Sequence, residues 1–231
     1  MVWSGFKFDD DIERLLTEGP FNMAFQPIVD TFNWKIFGYE ALFRGTERVP
    51  VKSPEAFFRN ECSHELVILD IGCVGSALRQ GAEITRDGKY LFINVHASTM
   101  KELGGHKGLF FGLLKELGMD ASKVVFEISE RTDRNCAKEL LEHLNAFTEQ
   151  GIKVAIDDVG VSFNWLHKML ALRPDFLKVD KSFVVDISSH TSKNVAEFSG
   201  LTFDVVITVC GHANETCPFF PGKTKRIHAG F

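Results

Sequence analysis

A chain of 231 residues can form one large α/β domain or two small ones, and 45% hydrophobic with 25% charged residues is the make-up of a soluble globular protein. A formal net charge of -5 argues against a broad electrostatic surface for DNA, RNA or a membrane. No apolar run reaches membrane-spanning length, and "MVWSGFKFDDDIERLL" does not read as a secretory signal. The cysteines Cys62, Cys73, Cys136, Cys210 and Cys217 are odd in number and mostly scattered through helical pattern, which leads to the expectation of reduced thiols in a cytoplasmic protein.

The first element is a short amphipathic helix over Asp9–Thr17. Two strand-like runs follow, "MAFQPIV" and "KIFGYEALF", separated only by the turn-like "DTFNW", so they are expected to pair as antiparallel neighbours. A helix-length stretch, "SPEAFFRNECSHELVILDIGCVGSALRQG", leads to the strand "YLFINV". From Tyr90 the pattern alternates: helix "LFFGLLKELG", strand "VVFEIS", helix "DRNCAKELLEHLNAFTEQG", strands "KVAID" and "FLKVD". Such alternation demands a parallel sheet with helices outside. The helix "SSHTSKNVAEFSG" starts on good capping residues and stops at Gly200, and the strands "FDVVITV" and "KRIHAGF" follow. Eight strands in a chain of this length fit a closed (β/α)8 barrel better than an open sheet.

In a parallel barrel the working groups sit at the C-terminal ends of strands. That rule collects Glu40 and Arg44 from the second strand, Asn94 from the third and Glu127 from the fourth. It adds the pair Asp157 and Asp158 from the fifth strand and Lys178 from the sixth. A single carboxylate at a strand end is more often a helix cap or salt-bridge partner, and a single lysine there more often snorkels to solvent. A whole set on successive strands, each inside an apolar run, asks for compensating charge. Four carboxylates and an amide suit one or two hard cations with oxygen ligands, Mg2+ or Mn2+, the usual device for attack of water on a phosphodiester. Lys178 would then orient or polarise the water, and Arg44 would hold a phosphate oxygen.

The motifs "FQPIVD", "YEALFRG", "FINVHAST", "FEISERT", "AIDDVG" and "RPDFLKVDKSFV" occur in one order over about residues 10–184. This text resembles the EAL-domain family of bacterial cyclic-di-GMP phosphodiesterases. The resemblance implies a TIM-like barrel with its first strand antiparallel to the rest. It implies that Glu40, Asn94, Glu127 and Asp157 bind one metal ion and that Asp157 and Asp158 share a second. It also implies that Lys178 contacts the nucleophilic water, that Gln26 and Arg44 contact the cyclic dinucleotide, and that a homodimer is the family's common assembly. It implies that Glu40, Asp157 and Lys178 form the catalytic set. Two departures stand out. The loop after the aspartate pair reads "DVGVSFNWL" where the family has a glycine-rich "DFGTGYSSL"-like text, with Val161 and Ser162 in its middle. The family's seventh-strand "AEGVE", with its catalytic glutamate, and its eighth-strand "QGYLF" do not occur after Lys181.

From Asp186 onward the text is instead "DISSHTSKNVAEFSGLTFDVVITVCGHANETCPFFPGKTKRIHAGF". It resembles the middle of a thioredoxin-coupled arsenate reductase of the low-molecular-weight phosphatase, flavodoxin-like fold. In that family Cys210 and Cys217 would be a redox relay, here vestigial, because the nucleophilic phosphate loop of pattern C-x5-R has no counterpart. The one such string, Cys73 to Arg79, sits in helical text with no strand before it and cannot cradle an anion on exposed amides. Arsenate reduction is not expected. The expectation is one barrel domain over residues 1–231, in which an EAL-derived segment covers residues 1–185 and a second segment, residues 186–231, supplies the last two strands. Cys210 falls about where the strand-seven glutamate belongs, and a thiol is no substitute for it as a partner of a hard cation. Hydrolysis of cyclic-di-GMP is therefore expected to be impaired or absent. The alternative is a designed or recombined fold chimera that at most binds metal and cyclic-di-GMP.

Overall fold

The computed structural model describes residues 8–30, 32–44, 64–129, 137–159, 172–179, 205–208 and 225–228. In chain order these form α1 (Phe8–Glu18), β1 (Met23–Asp30), β2 (Lys35–Phe43), α2 (His64–Arg86), β3 (Tyr90–Asn94), α3 (Ala97–Gly105) and α4 (Lys107–Leu117). They continue with β4 (Val124–Ser129), α5 (Ala137–Thr148), β5 (Lys153–Val159), β6 (Phe176–Val179), β7 (Val205–Thr208) and β8 (Lys225–His228). The strands neighbour one another in sequence order and close into a barrel. β1 runs antiparallel to β2, and every pair from β2–β3 to β7–β8 is parallel. The ring is completed by β1 and β8 at Val29 and His228. The short link between β1 and β2 is built by Asp30, whose Oδ1 accepts the Phe32 N–H (3.0 Å) and whose Oδ2 accepts from the Asn33 amide (3.1 Å).

Two apolar layers lie on opposite faces of the strands. The outer one sets Leu91, Ile93, Val124, Phe126, Ile128 and Val154 against the helices. Phe126 meets Phe110 of α4 and Phe147 of α5 edge to face, at 5.5 and 5.4 Å between ring centroids. The inner one fills the barrel with Ile28, Phe92, Val125, Ala155 and Phe176. Phe37 and Tyr90 pack on this inner layer, Phe37 stacking on Tyr90 at 4.7 Å. Phe37 is the extra residue of a bulge: Ile28 pairs with Gly38 and Val29 with Ile36, so Phe37 has no partner across the ladder. Gly38 is required where it stands, because a Cβ there would lie 2.6 Å from the Tyr90 carbonyl oxygen of the neighbouring strand. At Gly75 of α2 a Cβ would collide with the backbone of Leu15 and Leu16, so glycine lets α1 lie directly on α2.

The sequence pattern anticipates the eight strands, their antiparallel start and most of the helices. It misses α3, because "ASTMKELGG" offers only Ala97, Thr99, Met100 and Leu103 to the core and ends in two glycines. The boundary near residues 184–185, the loop "DVGVSFNWL" after its first two residues, and Cys210 and Cys217 lie outside the described residues. Cys73 and Arg79 both lie inside α2, and Cys73 is a free, buried thiol whose pKa burial pushes well above its ordinary value.

Candidate functional site

Side chains alternate along a strand, and those opposite one another in register share a face. Glu40 pairs with Phe92, Asn94 with Glu127, and Glu127 with Ala155. Glu40, Asn94, Glu127 and Asp157 therefore all share the face of the inner aromatic layer, nearer the C-terminal strand ends. Lys178, two residues beyond inner-layer Phe176, joins them. The barrel thus has an apolar floor and a charged upper layer.

At the centre of that layer is the Lys178 ammonium. It lies 2.9 Å from Glu40 Oε2, 2.8 Å from Glu127 Oε1 and 3.4 Å from Asp157 Oδ1. The Asn94 amide donates to Glu40 Oε1 at 3.1 Å. Glu127 and Lys178 are buried, while Glu40 and Asp157 keep part of their surface toward the mouth. Burial opposes ionisation of Glu40, yet the charge of Lys178 and hydrogen bonds from Lys178 and Asn94 prevail, and its pKa lies below the ordinary value. Burial pushes Glu127 well above the carboxylate range, with the Glu40 charge adding to it. Burial also raises Asp157, against the pull of Lys178. Lys178 is itself held above its usual value: burial works against the charged form, but Glu127, Asp157 and Glu40 overcome it.

Oxygens of Glu40, Glu127 and Asp157 lie within 4.8 Å of one another, a spacing that could hold a metal ion. Glu127 Oε2 is buried without a hydrogen-bond partner among the described residues. Three carboxylates facing one ammonium, with an orphaned buried oxygen, fit a hard divalent cation with oxygen ligands. Such a cation would supply the charge that keeps Glu127 ionised.

The other residues picked from the sequence are placed differently. Asp158 does not belong to the triad. It sits at a break in the β5–β6 register between Ile156 and Val159, with φ 57°, a left-handed conformation that aspartate tolerates. Its backbone N–H serves the Asp157 carboxylate. Gln26 pairs in register with Glu40 and so shares the inner face, half-buried. Arg44 is exposed at the rim and its guanidinium turns back to the Phe43 carbonyl (3.1 Å). Ser129, opposite Asp157 in register, was not singled out in the sequence; the alternation Val125, Glu127, Ser129 was the signal for it. No helix among the described residues is long and apolar enough to cross a membrane.

The family model described as "EAL domain" matches residues 9–205. Over 195 residues the chain is 28% identical to the probable cyclic di-GMP phosphodiesterase PdeI of Escherichia coli K12, covering 80% of this chain and 24% of that protein. The chain thus spans about a quarter of that relative's length. The fold matches the Klebsiella pneumoniae protein BlrP1, solved as a calcium and cyclic-di-GMP complex, with a TM-score of 0.73 at 23% identity, covering 92% of this chain and 54% of that one. Over 60 residues the chain is also 38% identical to arsenate reductase 1 of Bacillus cereus, 26% of this chain and 45% of that protein.

Proposed function

The chain belongs to the EAL-domain family, and from that premise we propose that it carries a cyclic-di-GMP phosphodiesterase site whose hydrolytic power is impaired or lost. The observation that carries the reading is the Lys178 ammonium set among Glu40, Glu127 and Asp157 at the C-terminal mouth of the barrel. The named activity of PdeI and the calcium and manganese cyclic-di-GMP complexes of BlrP1 support the choice of ligand.

In this reading Glu40, Asn94, Glu127 and Asp157 would hold one Mg2+ or Mn2+, and Asp157 with Asp158 would hold a second. The cations would polarise phosphoryl oxygens and acidify a bound water. Lys178, charged and without a lone pair, acts as a donor that orients the water and offsets negative charge, not as a general base. Gln26 meets the dinucleotide from beside Glu40, and Arg44 does so once its guanidinium leaves the Phe43 carbonyl. The inner aromatic layer closes the site from below and keeps bulk water out.

The impairment follows from β7. Its described residues are Val-Val-Ile-Thr, with Ile207 level with Lys178, so the strand brings no carboxylate where the family's glutamate is expected. Cys210, two residues past Thr208, is the first group with metal-binding chemistry, and it is a soft ligand. Losing one member of a charge-positioning set costs orders of magnitude in rate. We take residues 1–231 as one barrel domain in which residues 186–231, related to arsenate reductase, complete an EAL-derived segment over residues 1–185. A homodimer and a cytoplasmic setting belong to the same reading. The match to arsenate reductase also favours a second reading, a recombined or designed chimera that binds metal and dinucleotide without turnover. Arsenate reduction has no place in either, since Cys73 and Arg79 lie inside one helix.

The test is incubation with cyclic-di-GMP and Mn2+, with chromatography for the linear dinucleotide. Turnover on the order of a hundredfold or more below an intact EAL phosphodiesterase is expected. Turnover comparable to that enzyme would refute the impairment.

A further inference from the structure

We propose that Asp70, on α2, is a positioning residue that fixes the Asn94 amide at the barrel mouth. The inference rests on the reading of Asn94 as a member of the metal set, and its test separates the two. Asp70 stands in "LVILDIGCV", where every residue from Leu66 to Val74 is buried, and it is itself 2% exposed. A carboxylate there is costly unless it does something an apolar residue does not.

What it does is accept. Asp70 Oδ2 takes the His96 N–H at 2.8 Å. His96 is the N-cap of α3, and its own Nδ1 accepts the Ser98 N–H at 3.3 Å. One residue earlier, the Val95 N–H donates to the Glu127 carbonyl at 3.0 Å. The two residues after Asn94 are thus pinned from opposite sides, Val95 to β4 and His96 to α2. The Asn94 side chain is exposed and touches the site through its 3.1 Å bond to Glu40 Oε1, so its aim is set by this backbone. Without an acceptor at position 70 the His96 N–H loses this bond, the turn relaxes, and a shift of half an ångström or so ends a hydrogen bond of the length that joins Asn94 to Glu40. The negative charge at the N-terminus of α3 also explains a carboxylate in place of an amide.

The readouts are the Asn94 side-chain amide signals in two-dimensional NMR of the chelator-treated protein, and Mn2+ affinity by electron paramagnetic resonance. Asp70→Ala is expected to shift or broaden the Asn94 signals and to weaken Mn2+ about tenfold, the usual scale for a partner behind a metal ligand. Asp70→Asn keeps an acceptor and is expected to retain the signals and, within about threefold, the affinity. Ile71→Ala, equally buried on α2, lowers stability and moves neither readout. Asp70→Ser serves in the same comparison if Asp70→Ala does not fold. Asn94 signals unmoved by loss of the Asp70 carboxylate, or moved as much by Ile71→Ala, overturn the proposal. Displaced Asn94 signals in a protein whose wild type binds no Mn2+ sustain the positioning role and bring down the metal reading instead.

Discussion

Lys178→Met tests the electrostatics of the barrel mouth without leaving a large cavity. The substitution removes an ammonium 2.9 Å from Glu40, 2.8 Å from Glu127 and 3.4 Å from Asp157, and leaves an unbranched chain of similar length in its place. Removing one partner of a buried ion pair costs about 3–5 kcal/mol, because the charge left behind is uncompensated. Here the loss has a ceiling. Burial already favours the protonated form of Glu127, and without Lys178 that carboxyl takes up a proton more readily still. A folded-state pKa raised in this way gives stability that is present at low pH and lost as pH rises through it. The expected deficit is therefore about 4 kcal/mol at pH 8 and roughly half of that at pH 5. For a chain of this size the larger figure is a fall in Tm of about 8–16 °C. Urea unfolding followed by circular dichroism, with chelator present, reads the difference directly. Mn2+ added at pH 8 should recover a fraction of it. A deficit below about 1 kcal/mol at pH 8 would refute the view that Lys178 is the counter-charge of this cluster.

Two further outcomes follow from single side chains. Burial raises the Asp70 carboxyl from 3.8 to about 6. The unfolded chain ionises first, so the stability held below about pH 4 is lost as pH rises through 6, by about 3 kcal/mol at 1.36 kcal/mol per unit. Urea midpoints of wild type and Asp70→Asn should converge or cross between pH 4 and 7, and a constant difference would contradict the assignment. Gly38→Ala places a methyl 2.6 Å from the Tyr90 carbonyl oxygen, which is backbone and cannot turn away. A loss of about 1–3 kcal/mol is expected in the same assay, and an unchanged midpoint would show that β2 and β3 can separate there.

The sequence exposed the barrel because each strand carries its own signal: β-branched and aromatic runs, a two-strand start with only a turn between, and helix-length text thereafter. It exposed the site because Glu40, Asn94, Glu127, Asp157 and Lys178 each interrupt an apolar run near its C-terminal end. Other features depend on geometry that local text does not carry. Asp158 follows Asp157 directly, and only the left-handed turn and the broken register separate it from the triad. Arg44 reads as a phosphate ligand, yet its guanidinium folds back on the Phe43 carbonyl. Phe37 fills the barrel only because a bulge turns it inward. Asp70 drew no notice in the sequence, yet its neighbours are buried all round, and that surround was the missed signal. The helix α3 was hidden for the opposite reason, since little of it is apolar.

The most direct measurement is calorimetric titration of cyclic-di-GMP into the protein with Ca2+, repeated with chelator and with Glu127→Gln. Binding is expected to require the cation, to be lost or weakened at least about tenfold in Glu127→Gln, and to proceed without release of the linear dinucleotide. Binding unaffected by chelator and by Glu127→Gln, or no binding at all with Ca2+ present, would contradict the claim that the Lys178 carboxylate cluster is a metal-assisted dinucleotide site.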